Sequence, residues 1–135
     1  MHKQIYVNLA VDDLDRSKAF FTALGFSFEP RFTNEQAACL ILGENLYAML
    51  LIKDLFKSFT RKSLCNPKES TEALMGWSCE SRGQVDALVA RALAAGGAVP
   101  RAPQDCGFMY GHGFEDLDGH IWELIHMDPN VQAAG

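Results

Sequence analysis

A chain of 135 residues with 48% hydrophobic and 21% charged residues has ordinary globular composition, long enough for one core and too short for two full-sized domains. Its net charge of -5 provides no basic stripe for a nucleic acid, and its longest apolar runs, such as Leu46–Ile52, fall far short of the ~20 residues of a membrane-spanning helix. A strand-like pattern begins by Ile5, leaving no room for a signal peptide, and Cys39, Cys65, Cys79 and Cys106 form no closely spaced pair. Reduced, mostly buried thiols and a cytoplasmic location are therefore expected.

Ile5, Val7, Leu9 and Val11 alternate with Tyr6, Asn8 and Ala10, the pattern of a half-buried strand. Asp12 and Asp13 offer an N-cap, and Leu14, Ser17, Phe21 and Leu24 recur at helical spacing before Gly25 ends the helix. Three strands are expected next, over residues 26–32, 37–42 and 46–52, the last two joined by a hairpin at Gly43-Glu44-Asn45. Residues 53–72 break the pattern. Leu55, Phe56 and Phe59 suit a short amphipathic helix, and Asn66-Pro67 marks a loop, so this stretch reads as a linker.

The order then repeats. A strand over 74–80 leads into Ser81-x-x-Gln84, a capping box, and Val85, Leu88, Val89, Ala92 and Leu93 form a helical stripe stopped by Gly96-Gly97. Strands follow near 98–101, 108–115 and 120–127, with a turn at 116–119; Pro100, Pro103 and Gly107 make the first of them irregular. The chain is thus an α+β protein of two βαβββ modules, about 1–52 and 73–128, within a single domain spanning 1–135.

The opening VNLAVDDLDRSKAFFTALGF, the segment SRGQVDALVARALAAGG and the closing FEDLDGHIWELI resemble the vicinal oxygen chelate superfamily. That group includes glyoxalase I, extradiol dioxygenases, and fosfomycin- and bleomycin-resistance proteins. The resemblance implies the glyoxalase/bleomycin-resistance/dioxygenase-like fold, with two curled sheets around a shared cavity. It also implies a divalent metal (Zn, Ni, Mn or Fe) in the catalytic members, held from the first and last strands of both modules. Of those positions only Glu123 carries a ligand type; Tyr6 and Leu74 stand where His is usual, and residues 46–52 contain no His, Asp or Glu. A catalytic metal needs about three protein ligands, so a metal-free site is expected, with Glu123 the single ligand if a metal is present.

His120 and His126 have the opposite strand parity to Glu123 and lie roughly 20 Å apart along it, too far to share a metal. If residues 116–119 close the hairpin, His112 falls opposite Glu123 on the same face, with Tyr110 facing Ile125 and Phe114 facing Ile121. On that register Glu123 and His112 would form a hydrogen-bonded acid/base couple, and Tyr6, Asn8, Leu74, Tyr110, Phe114, Ile121 and Ile125 would line the ligand site. A metal-free protein that binds a small, partly apolar molecule, without nucleic-acid or membrane partners and as a homodimer, is the leading expectation. The alternatives are a metal-dependent lyase, isomerase or dioxygenase with an atypical ligand set, and a metal-free acid/base enzyme using Glu123 and His112. Arg31 and Arg101 are candidates for attracting an anionic group.

Overall fold

The computed structural model of the protein describes residues 1–130, and the chain divides into two compact units, Met1–Cys65 and Asn66–Gly135. The first unit contains β1 (Ile5–Val11), α1 (Leu14–Ala23), β2 (Ser27–Phe28), β3 (Ala37–Gly43), β4 (Leu46–Ile52) and a short helix, α2 (Lys53–Lys57). Its sheet runs β1-β4-β3-β2, with β1 parallel to β4 and the other pairs antiparallel. The second unit repeats this plan with β5 (Leu74–Ser78), α3 (Arg82–Ala94), β6 (Gln104–Asp105), β7 (Met109–Glu115) and β8 (Ile121–Met127), in the order β5-β8-β7-β6. Again the first and last strands, β5 and β8, pair in parallel.

Alternation along β1 sends Leu9 and Val11 to the side of the sheet that α1 covers. There they join Leu40 and Leu50, and the helix contributes Phe20, Phe21 and Leu24, all buried. The Asp13 carboxylate accepts the Arg16 N–H at 3.1 Å and so satisfies one of the orphan donors of the first turn. At the other end Gly25 takes φ 101°, which lets the Phe26 N–H return to the Phe21 carbonyl at 3.1 Å. The expected strand over 26–32 is much shorter. Pro30 has no N–H for a ladder, and the chain turns into a short 3-10 helix, Pro30–Phe32, capped by the Glu29 side chain.

In the second unit, Ser81 Oγ accepts from the Gln84 N–H at 3.0 Å while Gln84 Oε1 accepts from the Glu80 N–H at 2.7 Å. The Ser81 bond is the one the capping motif implied, while the return bond from Gln84 goes to the residue before the cap instead of to Ser81 itself. Val85, Leu88, Val89 and Ala92 are buried against the sheet, whereas Leu93, expected in the same stripe, is exposed. Three rings fill the core: Trp122 lies 5.4 Å from Trp77 and 6.4 Å from Phe114, centre to centre. The strand expected at 98–101 is only a bridge from Ala98 to Glu115; after Pro100 and Pro103, ladder pairing begins again at Gln104.

The turn between β7 and β8 is built on a buried carboxylate. Asp116 Oδ1 accepts the N–H groups of Asp118 and His120, both at 3.0 Å, and Oδ2 accepts the Trp122 indole N–H at 2.9 Å. Burial pushes the acid's pKa up despite these donors. Gly119 completes the turn at φ 97°, where a Cβ would lie 2.9 Å from backbone atoms of Pro67 and Lys68.

Candidate functional site

Strand parity decides what can share a site in the second unit. Along β8, Trp122, Leu124 and His126 face α3, while Ile121, Glu123 and Ile125 face away from it. Glu123 is level with Gly76 on β5 and with Gly113 on β7, so it is the only side chain in a row crossing three strands. Leu74, Ile121 and Glu115 form the row below it, and Ser78, Ile125 and Gly111 the row above. Leu74, Ile121 and Ile125 therefore share the face of Glu123, as expected; Leu74 is more than half exposed.

The carboxylate does not meet His112. That residue pairs with Leu124, one place away from the expected register, and projects toward α3. The shift arises because Glu115 pairs directly with Ile121, which makes the turn one residue longer than the Asp-Gly motif suggested. His112 Nδ1 is buried without a hydrogen-bond partner among the described residues. The expected Glu123–His112 couple is thus corrected, and the same shift removes Tyr110 and Phe114 from the Glu123 face. Phe114 is fully buried in the aromatic core. Tyr110 donates its hydroxyl to Asp86 of α3 at 2.6 Å and carries the Arg82 guanidinium over its ring. Arg82 in turn grips Asp105 through two bonds of 2.6 and 3.0 Å and reaches the Gly107 carbonyl. That bonding, with the Gly107 N–H, lowers the Asp105 pKa to about 2.

What does meet Glu123 is Arg101, from the segment preceding β6. Its Nη2 stands 3.5 Å from Oε2, with the carboxylate side chain 18% exposed and the arginine 56%. Sequence reading raised Arg101 only as an isolated cation. Nothing in the local pattern announced its partner, because the contact depends on the path of the Pro100–Pro103 segment.

In the first unit, Tyr6 and Asn8 lie on the sheet face away from the Leu9–Leu50 core, level with Tyr47 and Met49 of β4. Tyr6 stacks on Tyr47 at 5.4 Å and donates its hydroxyl to Gln4 at 2.6 Å. A depression of about 220 Å³ borders these two rings together with Glu29, Arg31 and Phe32, and Glu29 and Arg31 are themselves ion-paired. A second, of about 300 Å³, lies between Asn8, Phe56, Phe59 and Thr60. The Cys39 and Cys79 thiols are buried and their pKa values raised, chiefly by that burial; Cys65 and Cys106 are exposed.

The metal implied by the resemblance finds no fitting donor set. Among the described residues there is no group of three His, Cys, Asp or Glu able to hold an ion. Level with Glu123 stand two glycines, and its ion-pair partner is a guanidinium with no lone pair to offer. Glu115, opposite Ile121 on the same face, adds one carboxylate and no third ligand. No helix among the described residues is long and apolar enough to cross a membrane.

Residues 3–43 match the family described as bleomycin resistance protein-like N-terminal. No curated protein matches the chain in sequence. Among solved structures, a hypothetical protein from S. aureus is 30% identical, with 93% of this chain and 95% of that one covered and a TM-score of 0.78. A glyoxalase-related enzyme from Fulvimarina pelagi is 19% identical over 100% and 94% of the two chains, TM-score 0.78. The fosfomycin resistance protein FosX from Listeria monocytogenes is 19% identical over 98% and 96%, TM-score 0.69. The last two carry the fold alone, a pair of four-stranded sheets with their helices. Taken with the duplicated βαβββ order and the N-terminal match, they lead to one conclusion: this chain has the fold of the glyoxalase/bleomycin-resistance/dioxygenase proteins, and its residues 3–43 resemble the N-terminal part of a bleomycin-resistance protein.

Proposed function

We propose that the protein binds a small, partly apolar molecule at a metal-free site of the glyoxalase/bleomycin-resistance type, working as one domain and as a homodimer. The observation that carries this reading is the partner of Glu123. The family's acidic position is balanced by the Arg101 guanidinium, and the sheet positions on either side of it are glycines rather than ligands. Glu123 is the polar centre, with Leu74, Ile121 and Ile125 as its apolar border. In the first unit, Tyr6 and Asn8 are further candidate ligand contacts, on their own sheet level with Tyr47 and Met49. The acid/base enzyme reading loses its support with the Glu123–His112 couple, since His112 faces α3. The exposed aliphatic residues Ile5, Leu46, Leu74 and Met127 favour association with a second copy.

Metal content of protein purified without added metal, measured before and after incubation with Zn, Ni, Mn and Fe salts, tests the site directly. We expect sub-stoichiometric metal and no thermal shift, together with binding of an apolar dye that Tyr6→Ala weakens. Stoichiometric metal that disappears in Glu123→Gln would overturn the reading in favour of a metal-dependent lyase, isomerase or dioxygenase. Sedimentation velocity checks the dimer.

A further inference from the structure

Resting on that reading, we propose that the Glu123–Arg101 pair recognises a neutral, planar group with a hydrogen-bond donor and acceptor side by side, of the amide or lactam type. The pair is held by one contact of 3.5 Å, longer than the usual charge-assisted bond, and no other hydrogen bond to either side chain exists among the described residues. Glu123 therefore keeps most of its acceptor capacity and Arg101 most of its five donors, side by side on one sheet face. A carbonyl oxygen fits the guanidinium, and an adjacent N–H or O–H fits the carboxylate. An anion in the same place would meet the charge of Glu123, and a cation that of Arg101, so the pair selects against both.

The surroundings of the pair support a flat occupant. Gly113 is required by the fold, because a Cβ there would lie 2.8 Å from the Trp122 carbonyl. Gly76 and Gly111 are not. Neither has the left-handed φ that demands glycine, and a Cβ on either would make only ordinary contacts, at 3.8 and 3.9 Å. Glycine inside a strand costs stability relative to alanine. Its use beside Glu123, where packing does not ask for it, keeps the backbone open to a ring or amide plane laid against the sheet. Leu74 and Ile125, on the flanking rows, offer apolar contact to the body of such a molecule.

The test uses 2-quinolone, a planar bicyclic lactam, with two controls: 1-methyl-2-quinolone, which lacks the donor, and quinoline-2-carboxylate, which adds a charge. Binding to the full chain is measured by saturation-transfer NMR and calorimetry, with 8-anilinonaphthalene-1-sulfonate as a general apolar probe. The expected result is that 2-quinolone binds and that N-methylation weakens it roughly tenfold or more, the penalty for a carboxylate left unpaired. Gly76→Val should weaken it by a similar factor without lowering the thermal midpoint, and Arg101→Met should weaken it too. Equal binding of the N-methyl compound, tighter binding of the carboxylate, or unchanged affinity in Gly76→Val overturns the proposal. If the naphthalene probe binds while 2-quinolone does not, this inference falls and the small-molecule reading stands. If neither binds, both fall.

Discussion

Replacing Asp116 by Asn removes one charge and keeps the shape, and the hydrogen bonds around it determine the cost. The carboxylate serves three donors: two backbone N–H groups on one oxygen and the Trp122 indole on the other. An amide has a single accepting oxygen. If that oxygen keeps the backbone pair, the amide nitrogen is set against the indole N–H across the 2.9 Å contact; if it turns, two backbone donors lose their partner. A charge-assisted bond contributes about 1.5–3 kcal/mol, and an unsatisfied buried donor costs about 1–3 kcal/mol. Against this, the folded protein no longer holds a charge whose burial it disfavours, since the Asp116 pKa is raised. The net loss should be about 2–3 kcal/mol, or roughly 8–12 °C in Tm for a chain of this size. Both tryptophans, Trp77 and Trp122, lie in the second unit, so their emission during urea unfolding reports on the unit that contains the mutation. With Trp122→Phe in the background the opposed donor is gone, and the cost of Asp116→Asn should fall by about 1 kcal/mol or more. A loss below about 0.5 kcal/mol, or strict additivity in the double variant, would refute the account of the turn.

Three other outcomes are expected. Asp105 should titrate near 2 by NMR, and in Arg82→Ala its midpoint should return toward 3.8; because its folded pKa lies below the unfolded one, its contribution to stability is present above that value and fades as pH falls toward 2. A midpoint that stays near 2 without Arg82 would deny that the guanidinium is the main cause. Thiol titration with a disulfide reagent should find Cys65 and Cys106 fast and Cys39 and Cys79 reactive only on unfolding; four fast thiols in native protein would contradict the burial. Gly107→Ala, at φ 81° with open space around it, should cost about 1–2 kcal/mol by urea unfolding. Gly119→Ala should cost clearly more, because backbone strain and a 2.9 Å clash act together there, and equal effects would count against that clash.

Much of the fold was legible because its signals are local. The Ile5–Val11 alternation, the Asp13 and Ser81 caps and the Val85–Ala92 stripe each carry their own evidence within a few residues, and the structure places them where the pattern did. The site was less legible because it depends on register. The face on which Glu123 lies follows from β8 alone, but the residue opposite it depends on the length of the preceding turn. One extra residue in the Asp116–His120 loop exchanged His112 for Gly113. Arg101 was harder still, since a long flexible side chain on a proline-bounded segment has no periodicity to follow. Gly76 gave no local signal either, as its significance comes from standing level with Glu123 across a parallel pair.

The parallel pairing of first strand with last also bears on how the chain is made. Ile5 finds its partner only when Leu46 has been synthesised, and Leu74 waits likewise for Ile121. As each unit emerges from the ribosome, its helix can form early from near neighbours, while β1 or β5 stays unpaired until β4 or β8, the last strand of the unit, arrives. Closure is then a single long-range event in each half, the slowest kind of contact to form. During that interval the uncovered backbone of β1 or β5, with apolar residues such as Ile5 and Leu74 beside it, is the part of the nascent chain most in need of protection from aggregation.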